Sequence, residues 1–303
     1  MSKQGTAKVV AIFGPTGSGK TAVAEAVADA IGGEVVSCDS MQAYTGLPIL
    51  TNQPERPTRL VGVWPLDHEG SVAEFAELAH AAVDELVVCG RTPVLAGGTG
   101  LYLRAAIGEL GLPPKVDPAI RERAQGLYDR VGPECAHELL AARDPAAAAV
   151  VHPNDRRRVV RALELLEVGA SLQPAEAQLW SGRDRHSTVI FGLEVPREIL
   201  DARIHARARS MLDAGVVEEA RRALAAPISS TAGRALGLRE LVELPESEAL
   251  DALVRRTRRY AAYQRKWMRR IPGLVSVAAG RPTDEVADEL LQMARARQHV
   301  SPR

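Results

Sequence analysis

The stretch "AKVVAIFGPTGSGKT", residues 7–21, decides the fold of this chain. Its first seven residues are apolar from Val9 to Phe13 after Lys8, the pattern of a strand buried on both faces. A glycine-rich loop follows, with Gly14, four residues, then Gly19, Lys20 and Thr21. That is the spacing of a phosphate-binding loop. Gly14, Gly17 and Gly19 permit backbone turns that a Cβ would obstruct. A helix is expected from about Ser18, its first N–H groups and its positive end aimed at an anion. Lys20 adds a full charge, and the Thr21 hydroxyl can reach a bound Mg2+. The candidates for phosphate contact are Gly14, Pro15, Thr16, Gly17, Ser18, Gly19, Lys20 and Thr21. The loop by itself leaves open whether the anion is a hydrolysed nucleotide or some other diphosphate.

The chain has 303 residues, enough for one large domain or two small ones. Its 46% hydrophobic and 25% charged content fits a soluble globular protein and not a disordered one. No apolar run approaches the ~20 residues that span a bilayer. The start, "MSKQGTAKVV", lacks the apolar centre of a signal peptide. Cys38, Cys89 and Cys135 are far apart and odd in number. Reduced thiols in a cytoplasmic protein without a metal framework are expected. The seven histidines include no HExxH, which argues against zinc.

The formal net charge is zero, which taken alone argues against a nucleic-acid partner. The average hides a local pattern. "NDRRRVVRALELLE" gathers Arg156, Arg157, Arg158 and Arg161, and residues 252–272 hold eight basic residues and no acidic one. A basic stripe matters more to binding than the total.

Strand and helix patterns alternate over the first 110 residues. "EVVSCDS" is a second strand ending at Asp39, "LVGVWPL" a candidate third, and "TPVLAGGTG" another that runs into a glycine turn. "SVAEFAELAHAAVDELVVCG" reads as a helix with a capping box, Ser71 with Glu74, and a stop at Gly90. This is the βαβ rhythm of a parallel sheet with helices on both faces. Prolines in "GLPPKVDP", residues 111–118, break it, and helical patterns then fill the chain to residue 182. "STVIFGLEV" returns to strand, two long helices follow, and "GLVSVAA" is a last short strand. The expected architecture is an α/β core like that of the P-loop NTPases, residues 1–111 and 187–303, with a helical insertion at 112–186.

A nucleotide-hydrolysing phosphate loop is usually partnered by an acid at the end of an apolar strand, which helps to hold Mg2+. "PVLAGG" ends in Gly97 and Gly98, but "VVSCDS" brings Asp39 to that position. A small-molecule kinase or NTPase therefore stays open. The absence of an NKxD motif argues against a GTPase.

Five motifs occur in order: "GPTGSGKT", "SCDSMQAY", "AGGTGLYLRA", "HPNDRRRVVRALE" and "TRRYAAYQRKWMRR". Together they closely resemble the tRNA dimethylallyltransferases, from about residue 8 to residue 277. The resemblance implies transfer of a dimethylallyl group from dimethylallyl diphosphate to the exocyclic amine of the adenosine just 3′ of a tRNA anticodon. It implies that the loop holds the diphosphate of an isoprenoid, with Mg2+ at Thr21, and that Arg158 and Arg207 also reach that diphosphate. Asp39 matches the family's general base, and Thr99 a threonine at the reacting amine. Lys20, Asp39 and Thr99 are the implied catalytic residues. Asp39, Ser40, Met41, Gln42, Thr99, Arg121, Arg157, Arg158 and Arg161 match positions that contact tRNA, with the insertion as the tRNA-binding part. A monomer in the cytoplasm, binding the anticodon stem-loop and no membrane, is implied. An adenylate isopentenyltransferase acting on AMP or ADP shares the core motifs and is the alternative.

Plainer readings stand beside these. Asp39 and Thr99 are also capping residue types. Arginine runs are commonly solvated helix faces. His152 fits a structural place near a helix start. Tyr263 and Trp267 fit a core or a helix face, with base stacking as the alternative. The chain departs from the family's common pattern at Pro48, Gln53, Thr58, Leu238 and Tyr263.

Overall fold

The structure, a computed structural model, describes residues 8–110, 114, 116–172 and 183–299. The readings of residues 1–7, of most of "GLPPKVDP" and of the helical pattern over 173–182 lie outside these. The chain forms two compact units, Met1–Glu109 with Arg183–Arg303, and Leu110–Gly182.

The larger unit is built on a five-stranded parallel sheet: β1 (Val9–Phe13), β2 (Glu34–Ser37), β3 (Pro93–Gly97), β4 (Thr188–Glu194) and β5 (Val275–Ala278). Their spatial order is β2-β3-β1-β4-β5. All five residues of β1 are buried, as its unbroken apolar run requires. Val10 pairs with Val94 on one side and Val189 on the other. Side chains alternate between faces along a strand. Val10 and Ile12 accordingly join the core that holds Val23 and Val27 of helix α1 (Lys20–Ile31). On the other face lie α2 (Val72–Val88) and α3 (Gly100–Ile107).

β1 stands between β3 and β4, and the chain leaves it for β2 on one side and supplies β4 on the other. Such a switch in winding direction opens a crevice at the carboxyl ends of the strands. The loop after β1, Asp39 after β2 and Thr99 after β3 all lie at those ends. The remaining helices of this unit are α8 (Arg197–Asp213), α9 (Val216–Leu224), α10 (Glu240–Glu243), α11 (Glu246–Met268) and α12 (Thr283–His299).

Two expectations change. "LVGVWPL" is not a strand. Leu60 takes φ 64°, and among the described residues the stretch makes one isolated bridge, Trp64 with Tyr44, next to that of the preceding Arg59 with Val36. The run is apolar because Trp64 packs between Tyr44 and Phe75. The capping box at Ser71 is half made. Ser71 Oγ accepts the Glu74 N–H, but the Glu74 carboxylate turns to His68 at 2.9 Å.

The smaller unit contains α4 (Pro118–Val131), α5 (Pro133–Arg143), α6 (Pro145–Ala149) and α7 (Arg156–Glu167). Three of the four start on proline, which gives up a donor that the first turn leaves unpaired anyway. Asp117, Asp144 and Asp155 cap α4, α6 and α7 by accepting backbone N–H bonds. Tyr128, Leu140, Val159 and Leu163 lie in one core. His152 accepts the Asn154 N–H in the turn before α7, the structural place read from its position.

Candidate active site

The phosphate loop has the conformation its glycines allow. Gly17 and Gly19 sit at φ 83° and 84°, a region that L side chains rarely enter. Helix α1 starts at Lys20 with no side-chain cap and no acid in its first turn. Its first N–H groups thus lack the side-chain partner that most helices supply. The Ser18 hydroxyl is buried without a hydrogen-bond partner. An unsatisfied buried hydroxyl beside an uncapped helix start fits an anionic ligand.

A cavity of about 510 Å³ opens beside the loop, within the ~300–1,000 Å³ typical of small-ligand sites. Lys20, Arg203, Arg207 and Arg234 line it, against the single carboxylate of Asp39. Desolvation lowers the Lys20 ammonium pKa, with Asp39 opposing and Arg207 adding to the shift. Arg207 is likewise lowered by desolvation, opposed by Asp39. Cations held at this cost are poised for anionic charge. Arg207 Nη2 also donates to Thr16 Oγ1 at 2.7 Å, so the arginine is fixed on the loop. Polar side chains such as Thr51, Asn52 and Thr257 share the wall with an apolar part formed by Leu50, Ile204, Met211 and Leu253. The cavity suits a ligand with an anionic head and a small hydrocarbon part.

Asp39 is held from its own turn. Its N–H donates to Ser37 Oγ at 3.3 Å, and its Oδ1 accepts the Met41 N–H at 3.0 Å. The carboxylate is partly exposed to the cavity. Thr99 is the residue before α3 but makes no side-chain cap. Its Oγ1 instead pairs with the Tyr260 hydroxyl at 3.1 Å. Desolvation first, then the Asp39 charge, pushes the Tyr260 phenol up to about 12.

The structure brings Thr16, Gly17, Gly19, Lys20, Thr21, Asp39, Ser40, Met41, Gln42 and Arg207 into the cavity wall. Gly14, Pro15 and Ser18 complete the loop behind it. Gln42 is also braced internally, accepting from Ser37 Oγ and donating to the Asn52 carbonyl. Gln53, one of the departures from the family pattern, donates to the Tyr44 carbonyl at 2.7 Å. It thus ties down the same 42–53 segment.

Arg121, Arg157, Arg158 and Arg161 belong to the smaller unit. There Arg121 and Arg161 both bind Glu164, which is 2% exposed. Arg156 pairs in two bonds with Asp129. These three therefore have a structural duty in neutralising nearby carboxylates. Arg157 is exposed and has no ion-pair partner among the described residues.

Among the cavity residues that the sequence did not single out are Arg203, Arg234, Tyr260 and Gln264. Arg203 carried a signal, since it lies four residues before Arg207 on one helix face. Tyr260 and Gln264 lie within the motif "TRRYAAYQRKWMRR", but nothing in it marks either one individually.

Fold and site together define a phosphate-loop α/β protein with a cation-lined, partly apolar cavity beside the loop. A family model described as IPP transferase matches residues 42–271, and one described as isopentenyl transferase matches residues 7–59. The tRNA dimethylallyltransferase of Salinispora tropica is 41% identical over 277 residues, 87% of this chain and 86% of the relative. That of Corynebacterium jeikeium is 38% identical over 295 residues, 93% and 95% of the two chains. The chain belongs to the IPP transferase family. A crystal structure of a full-length tRNA isopentenylpyrophosphate transferase from Bacillus halodurans matches with TM-score 0.70, 31% identity and 97% coverage of both chains. A eukaryotic dimethylallyltransferase acting on tRNA matches with TM-score 0.81 over 98% of this chain and 81% of the other, at 23% identity, a likeness of fold. Among the described residues no helix is long and apolar enough to cross a membrane.

Proposed function

We propose that this chain is a tRNA dimethylallyltransferase. It transfers the dimethylallyl group of dimethylallyl diphosphate to the exocyclic N6 amine of the adenosine 3′ of the anticodon, releasing diphosphate. The observation that carries this reading is one cavity, in a chain of this family, with loop cations, one carboxylate and an apolar wall.

In the reaction the bond from the allylic carbon to the diphosphate oxygen breaks and a bond from N6 to that carbon forms. Negative charge collects on the leaving diphosphate. The loop N–H groups, Lys20 and Arg207 are the groups that stabilise it. The apolar wall at Leu50, Ile204 and Met211 takes the hydrocarbon part and excludes water from the allylic carbon. N6 is a poor nucleophile because its lone pair is delocalised into the ring. Asp39 accepts its proton. Thr99, fixed by Tyr260, orients the amine. The acceptor base must leave its stack to reach such a pocket.

Among the described residues no cluster of three His, Cys, Asp or Glu side chains forms a metal site. Mg2+ takes few protein ligands and relies on phosphate oxygens and water. Thr21 would hold it, and when bound it would neutralise diphosphate charge. The smaller helical unit, with Arg157 and Arg158, and the basic α11 would grip the tRNA, and the enzyme would act as a cytoplasmic monomer.

Competition binding tests the donor assignment. Dimethylallyl diphosphate should displace a labelled allylic diphosphate at concentrations where ATP does not. Preferred binding and hydrolysis of ATP would favour the kinase reading.

A further inference from the structure

We infer that Tyr263 of α11 is a stacking platform for an unpaired base of the RNA acceptor, next to the base that enters the cavity. The inference rests on the proposed function, and it adds a recognition residue to it. Tyr263 is 54% exposed, the most exposed aromatic residue among the described large hydrophobics. It is neither core nor isolated. Its ring stacks on Tyr260 with centroids 6.4 Å apart and planes at 24°, and meets Trp267 edge-on at 6.3 Å. The three positions follow one helix face at i, i+3 and i+7.

Both ends of this ladder are anchored at the site. Tyr260 lines the cavity and bonds Thr99. Trp267 lies so close to Gly100 that a Cβ there would meet the indole at 2.4 Å. Between them, Gln264 bonds both the phosphate loop and the Gly98 turn. The exposed ring is thus rigidly placed one helical turn from the cavity mouth.

Charge identifies the occupant. Arg255, Arg259 and Lys266 on the same helix, and Arg269 just past its end, are exposed and have no ion-pair partner among the described residues. Rigid aromatic faces flanked by free cations match single-stranded RNA, whose unpaired loop bases stack on Tyr and Trp while phosphates meet Arg and Lys. A protein partner or a second copy would leave these cations without acidic partners from its side unless its own surface supplied them.

The test uses the full-length protein and an anticodon stem-loop carrying 2-aminopurine beside the target adenosine. Tyr263→Ala should weaken stem-loop binding by about 5- to 150-fold, the range of one lost base–aromatic stack. The quenching of 2-aminopurine on binding should fall with it. Tyr263→Phe, which keeps the ring, should restore both. Donor affinity and the slope of log affinity against log salt should not change, because stacking releases no counterions. Arg259→Ala should instead lower that slope by about one. Unchanged stem-loop affinity in Tyr263→Ala, while the wild type still prenylates the stem-loop, would overturn the platform and leave the enzyme reading intact. So would a Tyr263-dependent change in mass in solution. Failure of the wild type to prenylate the stem-loop would remove both.

Discussion

Gln264 holds Thr16. Its Oε1 accepts the Thr16 N–H at 2.8 Å, and its Nε2 donates to the Gly98 carbonyl at 3.0 Å. The side chain is 1% exposed. One amide on the basic helix α11 therefore joins the phosphate loop after β1 to the turn after β3. The shape of the phosphate loop thus depends on a residue 248 positions away.

Gln264→Leu should strand a buried N–H and a buried carbonyl, each costing about 1–3 kcal/mol. Denaturant unfolding should register a loss on that order, and donor affinity should fall as the loop relaxes. Gln264→Glu keeps the acceptor for Thr16 but loses the donor for Gly98, so it should fall between. A Leu variant with wild-type stability and donor affinity would show that the clamp is incidental.

Lys20→Ala should lower kcat by about 10²–10³, the scale of a lost electrostatic donor at a leaving group. The same change should relieve an unfavourable desolvation, since the ammonium is held below its ordinary pKa by burial. Thermal stability should therefore hold or rise while turnover collapses. Parallel loss of stability and turnover would point to a structural lysine.

Asp39→Asn preserves shape and removes basicity. Turnover should fall by about 10²–10⁴, with stem-loop and donor affinities changed far less. Normal single-turnover rates with saturating acceptor would dismiss Asp39 as the base.

The two groups of arginines should separate experimentally. Arg157→Ala should lower the salt slope of tRNA binding by about one at unchanged stability. Arg161→Ala should also destabilise the protein, because it withdraws a partner from the buried Glu164 carboxylate. Equal behaviour of the two variants in a thermal melt would contradict that division.

Thiol labelling reads burial directly. Cys89 and Cys135 are exposed, whereas Cys38 is buried and its thiol is pushed well above its ordinary pKa by desolvation. A maleimide should modify two cysteines in the native protein and the third only on unfolding.

The sheet and the loop were legible because local rules govern them. The apolar run at 9–13 and the glycines at 17 and 19 admit few other conformations. "LVGVWPL" misled because burial, not strand pairing, makes it apolar: Trp64 fills a gap beside Tyr44. Asp39, Thr99 and Arg207 could be picked out from motifs, but the bond of Thr99 to Tyr260 and that of Arg207 to Thr16 could not. Each joins residues more than 150 positions apart, which no local pattern encodes. The helical arginines illustrate the converse. "NDRRR" reads as a free basic face, and only the fold reveals that Arg156 and Arg161 are spent on Asp129 and Glu164.

The central claim is transfer of a dimethylallyl group to tRNA, and label transfer tests it most directly. The protein is incubated with dimethylallyl diphosphate labelled in its hydrocarbon part, Mg2+, and either an unmodified anticodon stem-loop or AMP. Label should appear on the stem-loop, at the adenosine 3′ of the anticodon, and should disappear when that adenosine is replaced by guanosine. Comparable labelling of AMP, with the stem-loop left unlabelled, would contradict the account and assign the chain to the adenylate enzymes.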